Sequence, residues 1–150
     1  MKKLALIIAT VAALGVVAGQ AAADPPRVEE FSGSFTDTSC GFPIEGSFEG
    51  RDIVIEDSED FVHVHTNVVV TLTANGKTLI DNDAFTFIAE EGTESYRGAV
   101  FNIQAPGVGK LLMDVGILIV DEEGNVIFQG GPHPAFYGDV EALCAYFADP

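Results

Sequence analysis

By residue type and spacing, the best candidates for chemistry are two histidines in His63-Val64-His65. On a β-strand alternate side chains share a face, so both imidazoles would stand side by side, as in several metal sites. His133, in Gly131-Pro132-His133-Pro134, offers a third nitrogen. His63, His65 and His133 are therefore the candidate metal ligands. The competing reading is a pair of hydrogen-bonded or solvated histidines on a polar strand face, and it leaves the chain with no cofactor.

Asp114 is the second candidate. It interrupts the apolar run Leu111-Leu112-Met113-Asp114-Val115-Gly116-Ile117-Leu118. A carboxylate on so apolar a strand needs a partner or must become neutral. Arg97, on the preceding strand, is one such partner. Asp114 is then either a site acid or a structural hydrogen-bond acceptor near a Gly116 bulge. Asn67 and Asn102 are polar members of central strands. With His63, His65 and Asp114 they make up the candidate ligand-binding set. Phenylalanines 61, 85, 87, 101 and 128 would supply an apolar wall or simply a core.

Other signatures fail. The chain has no G-x-S-x-G elbow and no phosphate-binding P-loop. Cupin metal sites also begin with His-x-His but continue with a glutamate, whereas Thr66, Asn67, Val68, Val69 and Val70 follow here. Asp81-Asn82-Asp83 resembles the start of a calcium loop without the central glycine or the later bidentate glutamate. Two readings of function follow. One is a non-catalytic module that binds a small apolar or amphipathic ligand, or a partner. The other is a barrel enzyme, an isomerase, cyclase or metal-assisted hydrolase using His63, His65 and Asp114.

These residues must be positioned by a β-rich chain. Period-two patterning marks Glu29–Phe35, Pro43–Glu49, Arg51–Asp57, Phe61–Thr73, Lys77–Ile88, Tyr96–Gln104, Leu111–Val120 and Val126–Gln129 as strands. Asn75-Gly76 is a tight-turn signal, since both residues tolerate positive φ. Val140, Leu143, Cys144 and Phe147 recur at helical spacing, which predicts a short helix over Asp139–Ala148 with Asp139 as its N-cap. The expected fold is all-β: an antiparallel meander of about eight strands closing into a barrel, with a short C-terminal helix. A two-sheet sandwich is the alternative.

Residues 1–23 have the layout of a secretory signal peptide. Lys2 and Lys3 precede an apolar run, and Ala21-Ala22-Ala23 offers the cleavage site. The exported part is then one domain, 24–150, with no membrane anchor. Loss of the two lysines leaves 5 basic against 23 acidic residues, a formal charge of −18. Such a surface repels nucleic acid and anionic lipid, and favours cations and basic partners. Export also places Cys40 and Cys144 in an oxidising compartment, where each is the other's only partner within the chain.

In their order along the chain, several short pieces resemble a group of secreted actinobacterial proteins. They are Cys40-Gly41-Phe42, the His- and Val-rich strand, Asn75-Gly76-Lys77, Met113-Asp114-Val115-Gly116, Gly131-Pro132-His133 and Ala142-Leu143-Cys144-Ala145. The resemblance spans most of the exported chain. It implies export, a disulfide and a β-rich fold, and no particular activity. At the level of fold alone, the chain is similar to allene oxide cyclase and dirigent-type barrels.

Overall fold

The computed structural model describes residues 25–58 and 60–148. The proposed signal peptide, 1–23, lies outside the described residues. Seven antiparallel strands form one sheet in sequence order. They are β1 (Arg27–Asp37), β2 (Ile44–Asp57), β3 (Phe61–Ala74), β4 (Lys77–Glu90), β5 (Thr93–Ala105), β6 (Gly109–Asp121) and β7 (Val126–Gly130). A helix, α1 (Glu141–Ala148), follows.

Three expectations are corrected. The strands number seven among the described residues because 43–49 and 51–57 are halves of one strand, β2. Gly50 is not a turn. It lies extended beneath the ring of Phe31, its partner on β1, and a Cβ there would sit 2.6 Å from that ring and 2.5 Å from the Asn67 carbonyl oxygen. The second correction concerns closure. Among the described residues no ladder joins β1 to β7, so the sheet remains open, and with one sheet there is no sandwich either. The third concerns α1, which begins at Glu141. The carbonyl of Val140, rather than Asp139, marks its start by accepting from the Cys144 N–H at 2.9 Å.

The turn between β3 and β4 follows the predicted chemistry. Asn75 and Gly76 both take positive φ, 49° and 79°, which matches the twist of the flanking strands. Alternation then fixes the faces. On β3 the even-numbered residues Val70, Leu72 and Ala74 are buried with Ile44 of β2 and Leu79 of β4. These define an inner face. A single sheet can bury one face only by coiling around it and by covering what remains. Coverage comes from α1, whose Leu143 and fully buried Phe147 join the same core.

Three ties hold α1 across the end of the sheet. Cys144 forms a disulfide with Cys40 in the β1–β2 connection. Asn75 Nδ2 donates to the Phe147 carbonyl at 2.9 Å, and Lys77 Nζ to the Tyr146 carbonyl at 2.7 Å. Carbonyls in a helix's last turn lack intrahelical partners and carry the negative end of its dipole, so an amide and an ammonium complete them well. Lys77 also lies 4.7 Å from the centre of the Tyr146 ring. The turn that pairs β3 with β4 is therefore also the cap of the helix.

Candidate functional site

His63 and His65 do share one face of β3, the outer one. They are half-buried rather than convergent. His65 Nδ1 lies 3.2 Å from Oγ1 of its cross-strand partner Thr86. His63 meets Phe61 edge-to-face, with ring centres 6.2 Å apart. Asn67 stands on the same face. His133 is elsewhere, buried beside β6, so the three imidazoles are not brought together. Among the described residues no group of three or more His, Cys, Asp or Glu side chains is placed to hold a metal ion.

Asp114 and His133 find each other. His133 Nδ1 is 2.5 Å from Asp114 Oδ1, and both side chains are buried. Nε2 lies 3.2 Å from the Ile117 carbonyl oxygen. That oxygen can only accept, so Nε2 carries a hydrogen. Asp114 Oδ2 accepts the Phe136 backbone N–H at 3.3 Å. Arg97 is not the partner of Asp114. It pairs with Ile117, one residue out of phase, and so projects from the opposite face, where its Nε donates to Ser95 Oγ at 3.2 Å.

The backbone makes room for this pair. After β7 the chain continues along β6, and the Val115 N–H donates to the Pro132 carbonyl at 3.0 Å. The approach is possible because Gly116 has φ of 131° and no side chain; a Cβ there would fall 2.0 Å from the Gly130 carbonyl oxygen. His133 thus clamps the segment after β7 onto β6. Both of its nitrogens are engaged, which suits a structural tie better than proton transfer to a substrate.

A second pair of interior acids, Asp81 and Asp83, was readable only as a weak calcium-loop fragment. It lies within β4, not in a loop. The usable signal was phase: Leu79, Asp81, Asp83 and Phe85 alternate, and all four are buried. β4 and β5 pair only from Ala84↔Ala99 to Glu90↔Thr93, and a bulge lies between Ala99 and Phe101 where β5 faces β6. Where the two strands part, Asp81 substitutes for the ladder. Its Oδ2 accepts the Asn102 N–H at 2.9 Å and its Oδ1 the Asn82 N–H at 3.1 Å. Asn102, a predicted site residue, contributes its backbone here, while its side-chain oxygen accepts from Gln104 Nε2 at 3.4 Å.

Asp83 is 3% exposed, and neither of its carboxyl oxygens has a hydrogen-bond partner. Burial is the main reason its pKa is pushed up to about 8, and neighbouring Asp81 adds to the rise. The Asn102 N–H opposes both weakly. Asp52, also raised by burial, is held by a hydrogen bond from Thr66 Oγ1 at 2.6 Å, which acts in the opposite sense. The nearby charge of Glu29 raises it a little further.

A trough of about 760 Å³ crosses β1 to β4. Its two banks are cross-strand rows. One is Glu30, Arg51, Asn67 and Ala84; the other is Ser32, Glu49, Val69 and Asn82. Between them runs the row Phe31, Gly50, Val68 and Asp83, whose side chains alternate to the inner face. The side chains of the two banks therefore stand on the outer face, and the Asp83 carboxyl belongs to the interior. Asn67 is the one predicted site residue that lines the trough. No family model, curated protein or solved structure matches the chain.

Proposed function

We propose that the protein is an exported, non-catalytic binding module, and that the trough holds its small amphipathic ligand or a segment of a partner. The observation that carries this reading is the arrangement of Glu49, Arg51, Asn67 and Asn82 around the trough. They supply a guanidinium fork, a carboxylate and two amides, hence donors and acceptors of both kinds, on either side of the Gly50 row. All four sit on paired strands, so their spacing is set by the ladder rather than by a loop. Asp114 and His133 support the non-catalytic side by satisfying each other in the interior. Export is supported by the layout of residues 1–23 and by the disulfide.

Native mass spectrometry of the oxidised, secreted protein tests the reading by revealing a co-purifying small molecule. The released molecule is then titrated back onto the wild type and onto an Arg51→Ala/Asn67→Ala double variant. At least a tenfold loss of affinity in the double variant is expected, since each lost polar contact is worth about 1 kcal/mol or more. Unchanged affinity, or substrate turnover abolished by His65→Ala, overturns it.

A further inference from the structure

The edge strand β7 differs from the rest of the surface in charge and in guarding. Asn125 to Gly138 contains no Asp, Glu, Lys or Arg, in a chain where 20% of residues are charged. Within this stretch Ile127 and Phe128 are 57% and 52% exposed, and Tyr137 is 59% exposed. Ile117 adds apolar surface from β6. Phe128 pairs with Ile119, and Ile117 with Gly130, so Ile117, Ile119 and Phe128 form a band on the outer face beside an open strand edge, with Ile127 next to it at the bulge and Tyr137 bonded to Gln129 of the same strand. Edges of this kind are usually blunted by charges or proline. β1, the opposite edge, follows that rule with Arg27, Glu29, Glu30 and Asp37. β7 has neither device.

We propose that β7 is a self-association edge, at which two copies pair β7 against β7, antiparallel, about a two-fold axis near Phe128. Charge selects a second copy as the occupant. Two exported chains of formal charge −18 repel each other wherever their acids face, and this band lets them approach without opposing like charges. A basic partner would instead favour the acidic remainder of the surface. The pairing is also self-complementary, as a two-fold contact requires. With Phe128 opposite its own copy, Val126 faces Gly130 and Ile127 faces Gln129. The acidic turn Asp121–Glu123 of each copy then falls at opposite ends of the joined strands. The two phenylalanines meet across the axis, where a cross-strand aromatic pair is favourable. This assignment is independent of the trough, which lies on β1 to β4.

Sedimentation velocity of the oxidised, signal-free protein over a range of concentrations tests the assignment. A dimer is expected, tightened by added sodium chloride because salt screens the repulsion between the acidic bodies. Phe128→Lys should raise the dissociation constant at least tenfold with circular dichroism unchanged. Phe128→Cys, incubated with oxidised glutathione, should cross-link into a disulfide-bonded dimer, and this variant decides the matter should the lysine variant fail to fold. A monomer at every concentration and salt, a dimer indifferent to Phe128→Lys, or a Phe128→Cys variant that forms no cross-linked dimer overturns the proposal.

Discussion

His133 and Asp114 lie 19 residues apart in sequence and 2.5 Å apart in the interior, and the contact fastens the segment after β7 to the middle of β6. Each side chain is buried, so removing either one strands the other without its partner. A buried pair broken this way destabilises by about 3–5 kcal/mol. We expect His133→Ala and Asp114→Ala each to lower stability by that order in urea titrations. The double variant should fall well short of the sum, because the second substitution removes a group already stranded. Additive losses would show that the two side chains act separately.

Asp83 gives stability a pH dependence of a definite sign. Its folded pKa is pushed up to about 8 against an ordinary value of 3.8. Between those values the folded chain keeps a proton that the unfolded chain has released. Stability therefore decreases as pH rises from about 4 to about 8, then levels off. Asp52, also raised, contributes in the same direction from the acid end. The urea midpoint of the wild type should fall between about pH 5 and pH 8, and Asp83→Asn should flatten that fall. Parallel profiles for the two proteins would exclude Asp83 as the source.

The strands were legible because most of them bury one face, and period-two alternation reports that directly. Closure was not legible, since pairing between first and last strands depends on coiling, which no local pattern records. The extra strand came from reading Gly50 as a break, when the ring that fills its place belongs to Phe31, far back along the chain on β1. Asp114 announced itself by interrupting an apolar run, but its partner did not. His133 was equally visible as a third metal ligand, and only the path of the chain past Gly116 separates those roles. Asp81 and Asp83 resembled loop ligands because their phase with Leu79 and Phe85 was weighed less than their composition.

The disulfide should matter chiefly to α1. Cys40 and Cys144 are 104 residues apart, and a cross-link closing a loop of this length restricts the unfolded chain by up to about 4–5 kcal/mol in the entropic account. A Cys40→Ala/Cys144→Ala variant is expected to lose about 2–5 kcal/mol. Asn75 and Lys77 still hold the carbonyls of Phe147 and Tyr146, so the helix should remain docked but open more often. Hydrogen exchange tests this: amides of Glu141–Ala148 should lose more protection than those of β3 and β4. Uniform loss across the chain would mean that α1 and the sheet open together.

Glycines of the β1–β2 hairpin are seats for aromatic rings. Phe31, Phe48 and Phe35 pair directly with Gly50, Gly33 and Gly46 across the ladder. Phe48 stands 6.1 Å from Phe31 and 6.4 Å from Phe35 between ring centres, so the three rings form one tier on the inner face. A Cβ at Gly46 would fall 2.2 Å from the Phe35 ring. That ring cannot move freely, because it packs against Phe48 and the buried cluster. Gly46→Ala should therefore cost about 1–3 kcal/mol, as overpacking does, despite alanine's better fit to an extended backbone. Adding Phe35→Leu, which removes the ring, should recover part of the loss. A Gly46→Ala variant as stable as wild type, or a double variant showing no recovery, would mean that β1 yields to the added methyl and that the tier does not fix the register of the first hairpin.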